Sequence, residues 1–459
     1  METIAQLQNK LQEAADLLAS VTHELDAHRN AGAAAEIFDF ARLRCDAENH
    51  PYTGHPAARC SMPELYHLLL LTVLTTAEAK EAQWLHLYRI AKGADYTQDV
   101  HDLLLGAHAM TDARMVECIE CIRRDNLTRA FLLDAMILTL LREEEDTSLL
   151  EYIAELAVLM EVPPAEITEV IQLAKCVAAQ DAERYIELLG KSSIEHAKET
   201  AFYFHQIVHD IDSAAHHNTK HLIIANVSKK DTHINLDEWN AMRISFIMCD
   251  FENMTFKSKQ KHVDFLGCTF KKVYHKCGVS LAKGTIMASH FQDCKTNGAK
   301  PLVELTNVEI STTRFTHCFS ENTEDEFLTN NTKLVEAMVA AAFAAGYITE
   351  EKLLTNHTKC LFLIRNTTMT ECQFTDCNWD EITSSPFSII QAENSIIQNC
   401  LLKDCGSTRS ALSLPSFSHI FKSMTSASPS SPSILLLRNS TQKNNSFQNC
   451  IGEEIQQTS

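Results

Sequence analysis

The stretch FLIRNTTMTECQFTDCNW, residues 362–379, decides how the second half of the chain folds. Apolar residues alternate at Phe362 and Ile364, Asn366 follows, and Met369, Cys372, Phe374 and Cys377 close the segment. A period of two marks short, half-buried strands. The same frame fits elsewhere. Around Phe315 it gives Val303, Leu305, Asn307, Ile310, Thr313 and Cys318, and around Leu402 it gives Ile390, Ala392, Asn394, Ile397, Cys400 and Cys405. Phe447 keeps Leu435, Leu437, Asn439 and Cys450, while Phe291 keeps Val279, Leu281, Ile286 and Cys294. Phe246 and Phe265 are each followed three residues later by cysteine, at Cys249 and Cys268. Seven units therefore end in an aromatic residue or leucine with a cysteine three positions on. Most steps between units are about 19–28 residues, and two longer steps mark insertions, an alanine-rich helix at 322–356 and a serine-rich loop at 406–433.

This pattern resembles the right-handed, pectate-lyase-like parallel β-helix over about 230–455. Five-residue steps such as CDFENMTF from Cys249 also resemble pentapeptide-repeat solenoids, but the asparagine column favours the former. The resemblance implies a right-handed β-helix at 233–455, entered through a linker or first strand at 216–232. Its cysteines are then buried structural thiols. Asn307, Asn366, Asn394 and Asn439 are expected to adopt left-handed backbone and to bond amide to amide between layers.

Two constellations offer chemistry. The position before the cysteine carries Asp293, His317, Asp376, Asp404 and Asn449. Carboxylates on neighbouring strands, about 4.8 Å apart, raise one another's pKa, as general acid–base catalysis requires, or bind a hard divalent cation. Asp and Asn are equally at home as turn formers at strand ends, and no arginine accompanies the column. In HQIVHDIDSAAHH, residues 205–217, His205 and His209 are expected on one helical face with Asp212 near them, an i, i+4 metal-ligand spacing. Gln206 stands where a zinc-protease motif has glutamate, so a polar helix end is the plainer reading. The CIEC of Cys118–Cys121 reads as helix packing.

The first half is helical in period. Ile4, Leu7, Leu11, Ala14, Leu18, Val21 and Leu25 alternate by threes and fours, which predicts a coiled-coil-like helix over 1–28 that either assembles a homo-oligomer or packs on its own domain. Within a helical domain expected over 29–215, residues 60–190 hold an apolar helix, an acidic break, a second helix and a turn into a third twice, from Leu68 and from Leu132. This layout resembles the tellurite-resistance TerB-like helical domain, most clearly over Phe131–Asp181. The resemblance implies an acidic metal site in the break, for which Glu143, Glu145 and Asp146 are the matching positions. The family's Asp-Gly pair is missing there, and a solvated helix end explains the three acids more simply.

The chain has 459 residues and a formal net charge of −20, which speaks against neutralising a nucleic-acid backbone or docking on an anionic membrane. The opening METIAQLQNK has no basic stretch leading into an apolar core, and no apolar run approaches a membrane span. A cytoplasmic location with reduced cysteines is expected. The expected fold is a multidomain α + β chain, helical then β-helical. Its expected function is that of a non-enzymatic binding or scaffold protein with protein partners. The family resemblance associates it with bacterial stress response or phage defence. The alternative is a carbohydrate-active β-helix enzyme using the aspartate column.

Overall fold

The computed structural model describes residues 39–75, 78–142, 147–189, 194–274, 278–296, 301–320, 359–379, 387–407, 433–450 and 453–458. The coiled-coil segment 1–28, the acidic positions Glu143, Glu145 and Asp146, and nearly all of both insertions lie outside these residues. The chain divides into two compact units between Ile207 and Val208, and each is described by itself.

In the first unit, Leu65–Thr75 within the helix Pro63–Thr75 is buried throughout, as is Phe131–Thr139 within the helix Thr128–Leu140. A helix apolar on every side belongs at the centre of a core. Amphipathic helices follow each of them. Glu81–Gly93 comes after the first, and Thr147–Leu159 and Pro164–Ala178 after the second. Pro163 caps the last of these with Pro164 in its first turn, where the missing N–H costs nothing. The order of a buried helix followed by an amphipathic one is thus present twice. In the third position the first copy has the 3-10 turn Val100–Leu103 and the short helix Leu104–His108, where the second has Pro164–Ala178. Gln83 ties the two copies together, its side chain accepting from Lys80 N at 2.8 Å and donating to Leu138 O at 2.7 Å.

The second unit is a stack of all-parallel sheets, two of eight strands, one of nine and one of four. The chain visits the sheets in turn and returns to each one strand further along, so sequence neighbours lie in different sheets while column neighbours lie one circuit apart. The apolar column of one sheet runs Ile224, Phe246, Phe265, Ile286, Ile310, Met369, Ile397. The next sheet carries Phe251, Phe270, Phe291, Phe315, Phe374, Leu402, Phe447. A third carries Phe256, Val279, Val303, Phe362, Ile390, Leu435, Ile455. These columns meet in one continuous apolar core. Its phenylalanines stack face to face, Phe291 on Phe315 at 4.9 Å and Phe315 on Phe374 at 4.7 Å. The long insertion between Phe315 and Phe374 leaves the register intact.

The register corrects one part of the sequence frame. Phe246 and Phe265 belong to the first column above, and the residues equivalent to Phe374 in their circuits are Phe251 and Phe270. Cys249 and Cys268 therefore share a corner with Ser289, Thr313, Cys372 and Cys400. Across this corner each residue's carbonyl accepts from the next circuit, as in Thr269 N to Cys249 O at 2.8 Å and Leu401 N to Cys372 O at 2.9 Å. The slip is five residues long because Phe-x-x-Cys sits at this corner in these two circuits, where the next corner has Phe251 with Met254 and Phe270 with Val273, and at the next corner in later circuits such as Phe291–Cys294.

Candidate functional site

Each corner turns on a residue with positive φ. Asp231, Asn253, Lys272, Asp293, His317, Asp376, Asp404 and Asn449 form one such series, with φ between 50° and 56°. From Asp231 to Asp404 each main-chain N–H of this series reaches a carbonyl of the next circuit, as in Asp293 N to Thr316 O at 3.1 Å and Asp376 N to Lys403 O at 3.1 Å. The acidic column is therefore drawn together by a backbone requirement that aspartate and asparagine meet at low cost. Its side chains are largely solvated. His317 Nδ1 lies 3.5 Å from Asp376 Oδ2, and Asn449 Nδ2 donates to Asp404 Oδ1 at 3.0 Å. Asp376 and Asp404 are neighbours in the column, and each has a partner on its other side, the imidazole of His317 for Asp376 and the amide of Asn449 for Asp404.

The asparagines Asn307, Asn366, Asn394 and Asn439 form another left-handed series, φ 46–52°. Asn307, Asn366 and Asn394 share a main-chain bond to the next circuit, as in Asn366 N to Glu393 O at 2.9 Å. Side-chain amide pairing between circuits occurs instead at Asn444 and Asn399, 3.3 Å apart.

The histidine segment is not one helix. His205 follows a 3-10 turn, Ile207–Val208 is extended, and only Ile211–Ala214 is helical. Asp210 imposes the new start, its carboxylate accepting from Asp212 N and Ser213 N. In the first unit, Nε2 of His205 meets Nη1 of Arg89 at 2.8 Å, and burial beside that cation lowers its pKa to about 4. In the second unit, His209 Nδ1 bonds Ala225 O at 2.9 Å and Asp212 pairs with Lys229. Each thus has a partner of its own, and the shared helical face expected of His205 and His209 does not form.

Sequence reasoning missed the most heavily buried polar cluster, in the helical unit. Asp134 is fully buried, and its carboxylate accepts from Tyr66 Oη at 2.7 Å and Tyr203 Oη at 2.5 Å. His55 Nδ1 accepts from Ala57 N at 3.1 Å, which leaves its proton on Nε2, 3.1 Å from Asp134 Oδ2. His86 Nε2 lies 3.7 Å from Oδ1, and its Nδ1 bonds Tyr52 Oη at 3.1 Å. Against the cost of burial, these donors hold the Asp134 carboxyl below the usual range, so it stays ionised. An anion already satisfied by three donors and sealed from water pins helices together. One signal was legible, a lone acid inside the apolar run FLLDAMILTL.

A second missed cluster lies on the strand unit. Ser245 Oγ donates to Asp264 Oδ2 at 2.9 Å and meets His221 Nε2 at 2.8 Å, while Arg243 Nε and His262 Nε2 reach the same carboxylate at 2.8 and 3.0 Å. Arg243 stands opposite His262, and Ser245 opposite Asp264, on adjacent strands. These partners outweigh burial and lower the Asp264 pKa.

No known family matches the chain, and neither does any curated protein or solved structure. No described helix is long and apolar enough to cross a membrane.

Proposed function

We propose that the chain is a non-enzymatic binding or scaffold protein whose strand unit is a right-handed parallel β-helix presenting a rigid, periodic surface to a protein partner. The observation that carries this is the outward side of the phenylalanine sheet. Because side chains alternate across a strand, the residues flanking each buried phenylalanine point away from the core. They form two in-register columns, Thr269–His290–Arg314–Gln373 and Lys271–Gln292–Thr316–Thr375–Lys403–Gln448. All are at least partly exposed. Successive groups stand about 4.8 Å apart on a backbone fixed by the core. Such a face offers donors and acceptors without the conformational cost of ordering a loop.

The test is affinity purification from native cells with the wild type and with a Thr316→Arg, Thr375→Arg double variant. A protein retained by the wild type and lost from the variant supports the reading. Equal retention by both, or cleavage of a polysaccharide by the purified wild type, overturns it.

A further inference from the structure

Cys60 and Cys121 approach one another from distant segments of the helical unit. Cys60 closes the 3-10 helix Pro56–Arg59, and Cys121 lies on the helix Asp112–Arg124, which Asp125 caps. The two sulfurs are 3.8 Å apart, and Cys121 Sγ is 3.8 Å from Asp125 Oδ2. One ligand atom from each of the three residues lies within 4.8 Å of the others. Sulfurs of a disulfide sit about 2.05 Å apart, so these are separate thiols. Around a tetrahedral zinc ion, with Zn–S about 2.3 Å and Zn–O about 2.1 Å, two sulfurs stand about 3.8 Å apart and sulfur and oxygen about 3.6 Å. The edges seen here have that size.

We propose that Cys60, Cys121 and Asp125 form a zinc-binding site, with a water completing the tetrahedron. The ligand types select the metal. Two thiolates and one carboxylate suit a borderline-soft divalent ion better than calcium or magnesium. The surroundings hold the ligands in place. Asp125 Oδ2 accepts from Ser61 N at 2.6 Å and Ser61 Oγ at 2.7 Å, which fixes the carboxylate plane. Nη2 of Arg124 is 3.5 Å from Cys121 Sγ, and its Nε is 3.2 Å from Asp125 Oδ1. Three anionic ligands around a dication leave one negative charge, and the guanidinium answers it from outside the ligand set. Both cysteines are buried, but Arg124 is largely exposed, so the ion would reach the site from solvent past this side chain.

The test is titration of the reduced full-length chain with cobalt(II), which takes zinc's geometry and is visible. The expected result is a thiolate-to-cobalt charge-transfer band saturating at one equivalent and abolished by adding zinc. Cys60→Ser with Cys121→Ser should remove the band. Asp125→Asn, a near-isosteric change at the rim, should weaken binding at least tenfold while leaving the helical circular dichroism unchanged, and it decides the matter if the cysteine variant does not fold. A reduced wild type without the band, a band surviving in the double cysteine variant, or unaltered affinity in Asp125→Asn overturns the site.

Discussion

At the scale of the residue, the strand unit is governed by where the backbone must turn left-handed. Asparagine occupies many of these corners, including Asn226, Asn253, Asn307, Asn366, Asn394, Asn399, Asn439, Asn444 and Asn449, and at each the short amide side chain tolerates positive φ. Thr312 does not fit this rule. It has φ 47° although its β-branched side chain clashes with the left-handed backbone. The side chain is exposed, and the position is kept by its main-chain bond to Thr370 O at 3.1 Å. Thr312→Asn should therefore stabilise the protein by about 1 kcal/mol, the order of the left-handed penalty for an ordinary residue. Urea unfolding followed in the strand region measures it. A loss of stability would show that the threonine side chain makes a contact outweighing the strain. The same backbone requirement accounts for the acidic column. Asp293, Asp376 and Asp404 repeat because their backbone repeats.

At the scale of the element, apolar alternation and the Phe-x-x-Cys corners were enough to place the strands in layers, because a side-chain period of two survives any loop length. They were not enough to tell which corner of a circuit carries the pattern, which sits one strand earlier in the first circuits than in the later ones, so the frame places Phe246 and Phe265 one strand too late. Contacts closed by distant segments carried no local signal. Asp134 gathers Tyr66, His55, His86 and Tyr203, and Cys121 meets Cys60, only once the helices pack. Gly284 shows how tightly the layers close. Its φ is 143°, and a Cβ there would stand 1.7 Å from Val263 O on the neighbouring strand. Gly284→Ala must push two strands apart and is expected to cost at least 2–3 kcal/mol, read as a lowered melting temperature. The cysteine corner gives a second expectation at this scale. Cys294, Cys318, Cys377 and Cys405 are buried, and each thiol points at the carbonyl of a preceding circuit, as Cys377 Sγ does to Phe315 O at 3.5 Å. An alkylating thiol reagent followed by mass spectrometry should label exposed Cys45 quickly and these four only on unfolding. Rapid native labelling of the four would contradict the packing.

At the scale of the molecule, both units hold a depressed carboxyl, but the fully buried histidines with lowered pKa lie in the helical unit, and this gives acid an uneven effect. His67 lies inside the helical unit, stacked on Tyr96 at 4.5 Å, with Nδ1 bonded to Pro63 O at 2.8 Å. Its Nε2 is buried with no hydrogen-bond partner among the described residues, so a proton placed there is unsolvated. Burial accordingly lowers its pKa from 6.5 to about 4. The sign follows from linkage. The unfolded chain takes up a proton near pH 6.5 and the folded chain only near 4, so the contribution to stability is full above 6.5 and is lost as pH falls through that window. At about 1.4 kcal/mol per pH unit this amounts to roughly 3 kcal/mol. His86, also lowered by burial, acts in the same direction. The depressed carboxyls Asp134 and Asp264 act in the same direction but in a lower window. Their contribution is present above the ordinary carboxylate range and is lost only below it. Between pH 6.5 and 4, then, the helical unit, with the fully buried His67 and His86, should weaken more than the strand unit, where the half-buried His290 is lowered by burial. Urea unfolding of the full chain at pH 7 and pH 4.5, followed by circular dichroism at helix and strand wavelengths, should show the helical midpoint falling further. His67→Phe keeps the ring on Tyr96 and removes the titrating group, so it should flatten that dependence. A helical midpoint independent of pH, or an equal fall in the variant, would show that His67 is not the group that acid reaches first.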